Sequence, residues 1–213
     1  FADKTMIDCL FYTIKLTVIY TALAMVLTIL MAYPLTKTRL KGRKLFNLLA
    51  LFTMYFSGGT IPIYLNVKDF GMLDTMWSLI IPGLLSTYNM IIMKSFFASL
   101  PGELEEAATI DGAGRLRKIW SVTLPCIRGT IVTLLIMNLG RILGSEFDRP
   151  YALSNKLVTD VSNVISIYVY QRGLKGLQFS LSTAVGLFQS VIGVFFILGA
   201  NKVASKFGER GVW

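Results

Sequence analysis

Residues Leu16–Thr36 read LTVIYTALAMVLTILMAYPLT, a run of 21 residues without a charged side chain. Three other runs share this property: Leu45–Val67 has 23 residues, Thr75–Met93 has 19 and Gly176–Asn201 has 26. A helix needs about 20 apolar residues to cross a hydrocarbon core of roughly 30 Å. Because hydrocarbon cannot hydrogen-bond an exposed backbone, each run is expected to be a membrane-spanning helix.

The composition of the whole chain agrees with this interpretation. Of its 213 residues, 54% are hydrophobic and 15% are charged, and the mean hydropathy is +0.62. Soluble domains have about 25% charged residues. A fifth apolar stretch, from about Ser121 to Gly144, contains Arg128 and Arg141. The sequence therefore predicts an all-α membrane protein, a bundle of about five visible transmembrane helices in one domain over residues 1–213.

Proline and glycine positions predict where the helices end or break. We expect the first helix to cover about Ile7–Tyr33 and to stop near Pro34. In the second helix, the glycines and the proline of Ser57–Pro62 are expected to kink or break the span. The last helix is expected over about Ser180–Ala204.

Two longer polar segments separate the later helices. One covers about residues 99–125 and the other about residues 146–175. Within the second segment, Asp160–Tyr170 is a candidate short surface helix.

The net charge of +9 is explained by membrane orientation rather than by a nucleic-acid partner. If Lys37–Lys44 is cytoplasmic, five alternating crossings place thirteen basic and five acidic residues on that side. The opposite side then receives eight basic and seven acidic residues. The positive-inside rule favours this orientation over its inverse. It places the segment 99–125 and the C-terminus of this multi-pass protein in the cytoplasm.

Several kinds of site are not expected in this chain. It has no histidine, and its two cysteines, Cys9 and Cys126, are predicted on opposite faces of the membrane and outside metal-ligand spacings. We therefore predict no metal site and no catalytic residue. A phosphate-binding loop of the G-x-x-x-x-G-K-[ST] type is also absent from the sequence. The chain is therefore not predicted to be an enzyme.

The segment 99–125 has the features of two short helices joined by a turn. Pro101 suits a helix start, and the acidic residues Glu103, Glu105 and Glu106 suit the positive end of a helix dipole. Leu104, Ala107, Ala108 and Ile110 are expected to give this helix an apolar side, and Gly112 and Gly114 a sharp turn. A second, basic helix is expected over about Leu116–Val122. Such a protrusion suits docking into a groove of another protein.

The same segment resembles the EAA motif of permease subunits of ABC importers. That motif has Glu-Ala-Ala, three residues, Gly, nine residues, Ile, one residue and Leu-Pro. Here these places hold Glu106-Ala107-Ala108, Gly112, Val122 and Leu124-Pro125, so only Val122 departs from the motif. The resemblance extends over nearly the whole chain and is strongest to maltose-type permeases for polysaccharides or complex sugars, for example at Thr53–Pro62.

The resemblance implies a heteromeric importer. A second permease subunit completes the pathway, two ATP-binding subunits bind ATP and Mg, and an extracytoplasmic solute-binding protein delivers the sugar. It also implies the type I permease fold, usually with six helices, so one N-terminal helix is expected before Phe1. The implied ATPase-coupling residues are Glu103, Glu106, Ala107, Ala108, Asp111, Gly112 and Arg115.

Residues of the substrate pathway are predicted from their chemistry. Sugars favour aromatic faces beside hydrogen-bonding groups, and polar groups at membrane depth often face a cavity. The candidates are Tyr55, Tyr88, Asn89, Asn138, Arg141 and Gln189. The structural alternative is that these groups hydrogen-bond neighbouring helices. The segment 146–175 is a candidate contact for the binding protein, or else a solvated loop.

Other functions remain open at this point. An importer for a non-sugar small solute would carry the same coupling segment. An ion-coupled secondary transporter is disfavoured because the charge-free runs contain no carboxylate and no internal repeat is visible. A membrane scaffold without transport activity would need no common cavity for its polar residues.

Overall fold

The computed structural model describes residues 4–37, 40–56, 58–145, 147–153 and 164–206, and this part of the chain is helical without strands. The longest helices are α1 and α12, and two stretches are π-helical. The elements are α1 (Lys4–Thr36), α2 (Arg43–Tyr55), α3 (Thr60–Asp69), α4 (Met76–Ile80) with a 3-10 turn (Ile81–Gly83), α5 (Thr87–Ser99), α6 (Gly102–Ile110), α7 (Arg115–Lys118), a π-helix (Ile119–Thr123), α8 (Leu124–Cys126), α9 (Arg128–Ser145), α10 (Asp148–Leu153), α11 (Ile165–Val169), a second π-helix (Tyr170–Lys175) and α12 (Phe179–Lys206).

Two helices are long and apolar enough to cross a membrane unaided, namely α1 and Phe179–Lys202 of α12. Three pairs of shorter helices pass the same test together, each bent at a break of four residues or fewer. These pairs are α2 with α3, α4 with α5, and the Ile119–Cys126 segment with α9. By length and composition, the described residues therefore contain two unbroken candidate spans, and up to five candidates if each bent pair counts as one.

The break predicted in the second span is present between α2 and α3, where Gly59 has a φ of +84°. The first helix ends near Pro34 as predicted, but it is longer than expected, because α1 begins at Lys4 and continues through Thr36. Pro34 lies in the last turn, where a proline removes one backbone hydrogen bond without disrupting a following turn. Thr36 Oγ1 donates to the Ala32 carbonyl at 3.0 Å, and Lys37 N donates to the Pro34 carbonyl at 3.1 Å.

The chain divides into two compact units. The first contains the described parts of Phe1–Leu23, Ser57–Leu84 and Met137–Gly199. One of its apolar clusters joins the first turns of α1 to α11 and α12 through Met6, Cys9, Ile165, Tyr168 and Val185. The other joins α1, α3, α4 and α10 through Leu16, Val67, Leu79 and Leu153. The Tyr20 hydroxyl donates to the Gly83 carbonyl, and the Arg149 guanidinium lies where any Gly83 side chain would stand.

The second unit contains the described parts of Ala24–Phe56, Leu85–Ile136 and Ala200–Trp213. Its apolar cluster joins α1, α5 and α9 around Met93, which is fully buried, with Met90 and Leu134 almost so. Two polar contacts connect α2 to α5. Lys94 Nζ donates to Asn47 Oδ1 at 2.8 Å, and the hydroxyls of Thr53 and Thr87 lie 3.3 Å apart.

A buried threonine connects two distant parts of the first unit. Thr13 Oγ1 donates to the Cys9 carbonyl at 2.7 Å and accepts from Ile165 N at 3.0 Å. Ile165 is the first residue of α11, so its N–H has no partner within the helix. The threonine side chain therefore supplies a hydrogen bond that α11 cannot make for itself.

Replacing Thr13 tests this connection. Thr13→Val keeps the shape of the side chain but leaves the buried Ile165 N–H unpaired, which costs about 1–3 kcal/mol. We expect a lower Tm of the detergent-solubilised protein for Thr13→Val and a near-normal Tm for the matched variant Thr13→Ser, which keeps the hydroxyl. Equal Tm values for Val, Ser and the unchanged protein would contradict the role assigned to this hydroxyl.

Candidate functional site

The first helix of the predicted docking segment is α6. It begins after Pro101, whose φ of −58° and ψ of 130° place the chain in an extended conformation before the helix. Glu103 and Glu106 lie in its first half and are exposed, which favours the helix because carboxylates stabilise the positive end of a helix dipole. The side chain of Glu105 lies outside the described part of the structure.

The end of α6 is a tight turn centred on Gly112. Gly112 N donates to the Thr109 carbonyl at 3.0 Å, and Ala113 N donates to the Ala108 carbonyl at 2.9 Å. With Gly112 at a φ of +73°, these two bonds form a Schellman motif. The turn predicted from the sequence is thus present, and it requires the left-handed conformation that glycine adopts without strain.

The chain then turns back through α7. Lys118 Nζ donates to Thr109 Oγ1 at 2.6 Å, which connects the end of α7 to the last turn of α6. The π-helix that follows ends before Pro125, which has no N–H to donate to the Ser121 carbonyl in an α-helical pattern. The expected second helix over Leu116–Val122 is therefore α7 followed by one π-helical turn. The side chain of Arg115 is not described.

The apolar side expected for α6 is only partly correct. Ala108 is buried, whereas Ile110 is 86% exposed and Ala107 is also exposed. At 100° per residue, Glu103, Glu106, Ala107 and Ile110 share one face of the helix. We call these four residues the α6 face. It combines two carboxylates with one small and one large apolar side chain, so it is suited to contact with a protein rather than with water alone.

Two exposed apolar residues of this segment, Ile110 and Trp120, are not among the predicted coupling residues. The sequence predicts Ile110 on the apolar side of the helix and assigns no role to Trp120. Trp120 is 76% exposed in the π-helical turn. The sequence shows this tryptophan within the predicted docking segment, and aromatic residues are enriched in protein interfaces. Its position was therefore a signal of a contact surface.

A second group of aromatic side chains lies in the segment 146–175. The rings of Phe147, Tyr151 and Tyr170 contact one another with centroids 5.0–5.2 Å apart. Lys175 Nζ lies 5.2 Å from the centroid of the Tyr170 ring. A hydrogen bond with Tyr151 raises the pKa of Tyr170 above that of an ordinary phenol. The candidate surface helix at Asp160–Tyr170 is described only from residue 164, where α11 begins at Ile165.

The predicted pathway residues are distributed over both units. Tyr55, Tyr88 and Asn89 belong to the second unit, and the tyrosines are exposed whereas Asn89 is 5% exposed. Asn138 and Gln189 belong to the first unit, where Asn138 is buried and Gln189 half-buried. The side chain of Arg141 lies outside the described part. Contact of these residues with a substrate stays a prediction.

The sequence profile of one protein family covers nearly the whole chain. The family is described as the binding-protein-dependent transport system inner membrane component, and its profile matches residues 15–207. The chain belongs to this family. The family membership predicted from the EAA segment is therefore confirmed. Members of this family are membrane components of transport systems rather than enzymes.

Individual relatives agree with the family. The chain is 44% identical to Protein LplC of Bacillus subtilis (strain 168) over 136 residues, covering 64% of this chain and 46% of LplC. It is 38% identical over 163 residues to the polygalacturonan/rhamnogalacturonan transport system permease protein YteP of the same organism, covering 75% of this chain and 49% of YteP. The chain thus spans about half the length of the curated relatives it matches.

A solved structure shares the fold. It is the crystal structure of a bacterial alginate ABC transporter in complex with an alginate pentasaccharide-bound periplasmic protein. The likeness covers 99% of this chain and 82% of the matched chain, with a TM-score of 0.82 and 24% sequence identity. The helical permease fold predicted from the sequence is confirmed at this level.

The Gly112 turn can be tested against a nearby glycine. Gly112→Ala forces a non-glycine residue into the left-handed region at a cost of about 1–2 kcal/mol, although no atom stands in the way of the new methyl group. We expect amide hydrogen exchange in residues 102–118 to become about tenfold faster. Gly114→Ala is the matched control, because Gly114 has neither a positive φ nor a close neighbour. Equal exchange in the two variants would contradict the assigned role of the turn.

Proposed function

We propose that this chain is a membrane-spanning subunit of an ATP-driven importer for oligo- or polysaccharides. It forms half of the translocation pathway, and a second permease subunit forms the other half. Two separate subunits bind ATP and Mg and hydrolyse the ATP, and an extracytoplasmic solute-binding protein supplies the sugar. In this proposal the protein lies in the inner membrane of a bacterium, and its C-terminus is in the cytoplasm.

The observation that carries this proposal is the α6 face in a chain of this family. A glutamate, a small residue and an exposed isoleucine stand on one side of a helix whose end is held by a Schellman turn. In the proposed assembly, α6 docks in a cleft of the ATP-binding subunit. Glu106 meets a basic group or a helix N-terminus there, Ala107 permits close approach, and Ile110 inserts its side chain.

Further predicted coupling residues lie outside the α6 face. Ala108 is buried on roughly the opposite side of α6. Asp111 is exposed at the end of α6, where its N–H donates to the Ala107 carbonyl at 3.0 Å. Arg115 is the first residue of α7 and adds to the positive charge of this second helix. In this proposal, closure of the ATP-binding subunits moves α6 and α7 together.

A sugar as the cargo is supported by the names of relatives. YteP is named for the transport of polygalacturonan and rhamnogalacturonan, and the structural neighbour is an alginate transporter. The outer cluster of Phe147, Tyr151 and Tyr170 offers aromatic faces beside phenol hydroxyls, which is the chemistry that sugars favour. In the proposed importer this cluster faces the binding protein and the entering sugar.

Reversing the charge at Glu106 tests coupling. In proteoliposomes containing the complete transporter, we expect Glu106→Lys to lower ATP-dependent uptake of labelled oligosaccharide about tenfold, since a lost docking contact of about 1–3 kcal/mol weakens the coupling of the two sites. Asp69→Lys makes the same charge change at another exposed carboxylate and should leave uptake unchanged. Full uptake by the Glu106 variant would overturn the assignment.

The side chain of Ile110 tests docking separately from charge. Burial of an isoleucine side chain contributes about 1.5–3 kcal/mol. Ile110→Ser should therefore reduce co-purification of the ATP-binding subunit by at least tenfold, whereas Ile110→Met, which keeps the apolar volume, should retain it. Because Ile110 is exposed in this chain, the Tm of the permease should not fall. Undiminished co-purification with Ile110→Ser would place the docking surface elsewhere.

A further inference from the structure

The segment Ile119–Ile127 leads from α7 into α9 and contains no charged residue, whereas Lys118 precedes it and Arg128 follows it. Its helical part, Ile119–Cys126, makes an angle of 61° with the part of α9 that ends at Leu139. If α9 crosses the membrane with a tilt of about 20°, a helix at this angle lies at about 40–80° to the membrane normal. The segment therefore does not continue the direction of the candidate span.

Arg128 indicates the depth of this junction. It is the first residue of α9 and its side chain is exposed. A charged side chain at hydrocarbon depth is costly, so the start of α9 is expected at the boundary between lipid and water. The residues that precede Arg128 then lie on the headgroup side of that boundary.

One side of this segment is packed and the other is open. Ile127 is buried in the apolar cluster of the second unit, and Leu124 packs against the same cluster. Trp120 is 76% exposed, and Ser121 is also exposed. The Ser121 hydroxyl donates to the Arg117 carbonyl at 2.6 Å, so this polar group already has a partner within the chain. We call Arg117, Trp120 and Ser121 the Trp120 surface.

The charge around the Trp120 surface is positive. Arg117 is exposed three residues before Trp120, and the stretch 115–128 holds four basic residues and no carboxylate. The α6 face has the opposite character, because it contains the exposed carboxylates of Glu103 and Glu106. The two surfaces therefore suit different partners. Basic residues beside a span attract the acidic headgroups of phospholipids.

Tryptophan is also a side chain that favours this depth. Its indole is apolar over most of its area and has one N–H donor, and tryptophans are enriched where spans leave the hydrocarbon. We therefore propose that the Trp120 surface binds the phospholipid surface of the membrane, with the Trp120 indole among the headgroups and Arg117 beside an acidic headgroup. In the proposed importer this contact anchors the chain between the α6 face and α9. Only this last consequence rests on the proposed function.

The partner of the Trp120 surface can be identified by photocrosslinking. Trp120→p-benzoylphenylalanine places an aromatic ketone at the same position, and ultraviolet light bonds this group to a molecule that touches it. The complete transporter is reconstituted in vesicles of phosphatidylglycerol and phosphatidylcholine, irradiated, and analysed by mass spectrometry of the peptide that contains residue 120. Ser121→p-benzoylphenylalanine is a second variant should the first fail to fold.

We expect a phospholipid adduct at residue 120 and no adduct with another subunit. Ile110→p-benzoylphenylalanine is the matched control, because Ile110 is also exposed but belongs to the α6 face, and it should bond to the ATP-binding subunit. An adduct of residue 120 with a protein, or a lipid yield no higher than at residue 110, would overturn the proposal. If residue 110 does not reach the ATP-binding subunit, that result counts against the proposed docking and not against the lipid contact.

Lipid composition tests the charge of this contact. In vesicles with equal amounts of the two phospholipids, the phosphatidylglycerol adduct should exceed the phosphatidylcholine adduct at least about threefold, because basic residues near the membrane surface attract acidic headgroups. Arg117→Gln should lower this ratio, whereas Arg117→Lys keeps the charge and should retain it. Equal yields of the two adducts with Arg117 unchanged would contradict the binding of an acidic headgroup.

Fluorescence of the native tryptophan measures depth independently. The emission that is lost in Trp120→Phe separates the signal of Trp120 from that of all other tryptophans in the transporter. Phospholipids brominated near the headgroup should quench this signal more strongly than phospholipids brominated near the end of the acyl chain. Stronger quenching by the deeper bromines, or no quenching by either lipid, would contradict the assigned depth. None of these readouts measures sugar uptake, so the lipid contact stands or fails independently of the proposed import activity.

Discussion

Every backbone N–H and C=O group at hydrocarbon depth needs a partner within the protein, and this requirement determines most of the structure. The long apolar runs are helical because a helix pairs its own backbone groups. Several threonine and serine hydroxyls in these helices follow the same rule and donate to the carbonyl one turn earlier, whereas the buried hydroxyls of Thr17 and Thr21 have no hydrogen-bond partner among the described residues. The hydroxyls of Thr13, Thr28, Thr36, Thr133, Thr183 and Ser190 all do so. A polar residue in such a run is therefore no sign of a substrate pathway by itself.

The same requirement explains where a helix can break. At the start of α5, Ser86 acts as the N-cap, with its hydroxyl accepting from Asn89 N at 3.4 Å and its carbonyl accepting from Met90 N at 3.0 Å. At the start of α11, the hydroxyl of Thr13 performs this function from a helix 152 residues away in sequence. The first cap is visible in the sequence as a serine before a helix. The second is not, because it depends on a tertiary contact.

Which face of each helix is buried could not be predicted from the sequence. In water the apolar side of a helix faces the core, but lipid is as apolar as leucine, so hydrophobicity does not separate the two sides. The structure shows the consequence. Thr17 is fully buried and Asn138 is 5% exposed, whereas Phe195 is 69% exposed. Run lengths therefore predicted the approximate positions of the candidate spans, while the packing contacts of Met93 or Val67 required the structure.

More of the docking segment could be predicted, because it is expected to lie in water, where local charge and turn preferences determine the structure. Local physical causes explain the acidic residues at the start of α6, the glycine after its end and the basic second helix. The observed turn at Gly112 agrees with this prediction. The exposure of Ile110 does not follow from local rules, because an isoleucine on a short amphipathic helix usually packs inward. Ile110 is exposed because it lies two residues after the buried Ala108, on nearly the opposite side of the helix.

This arrangement gives the proposed coupling a physical basis. A docking helix transmits motion only if it moves as a unit with the chain that follows it. Two backbone hydrogen bonds close the turn after α6, and the bond from Lys118 to Thr109 connects the end of α7 to the last turn of α6. The π-helical turn and Pro125 then form the place where the backbone is least regular before α9 begins. In the proposed importer, motion of the α6 face is passed to Lys118 through these bonds, and the irregular backbone between Ile119 and Ile127 is where its direction can change.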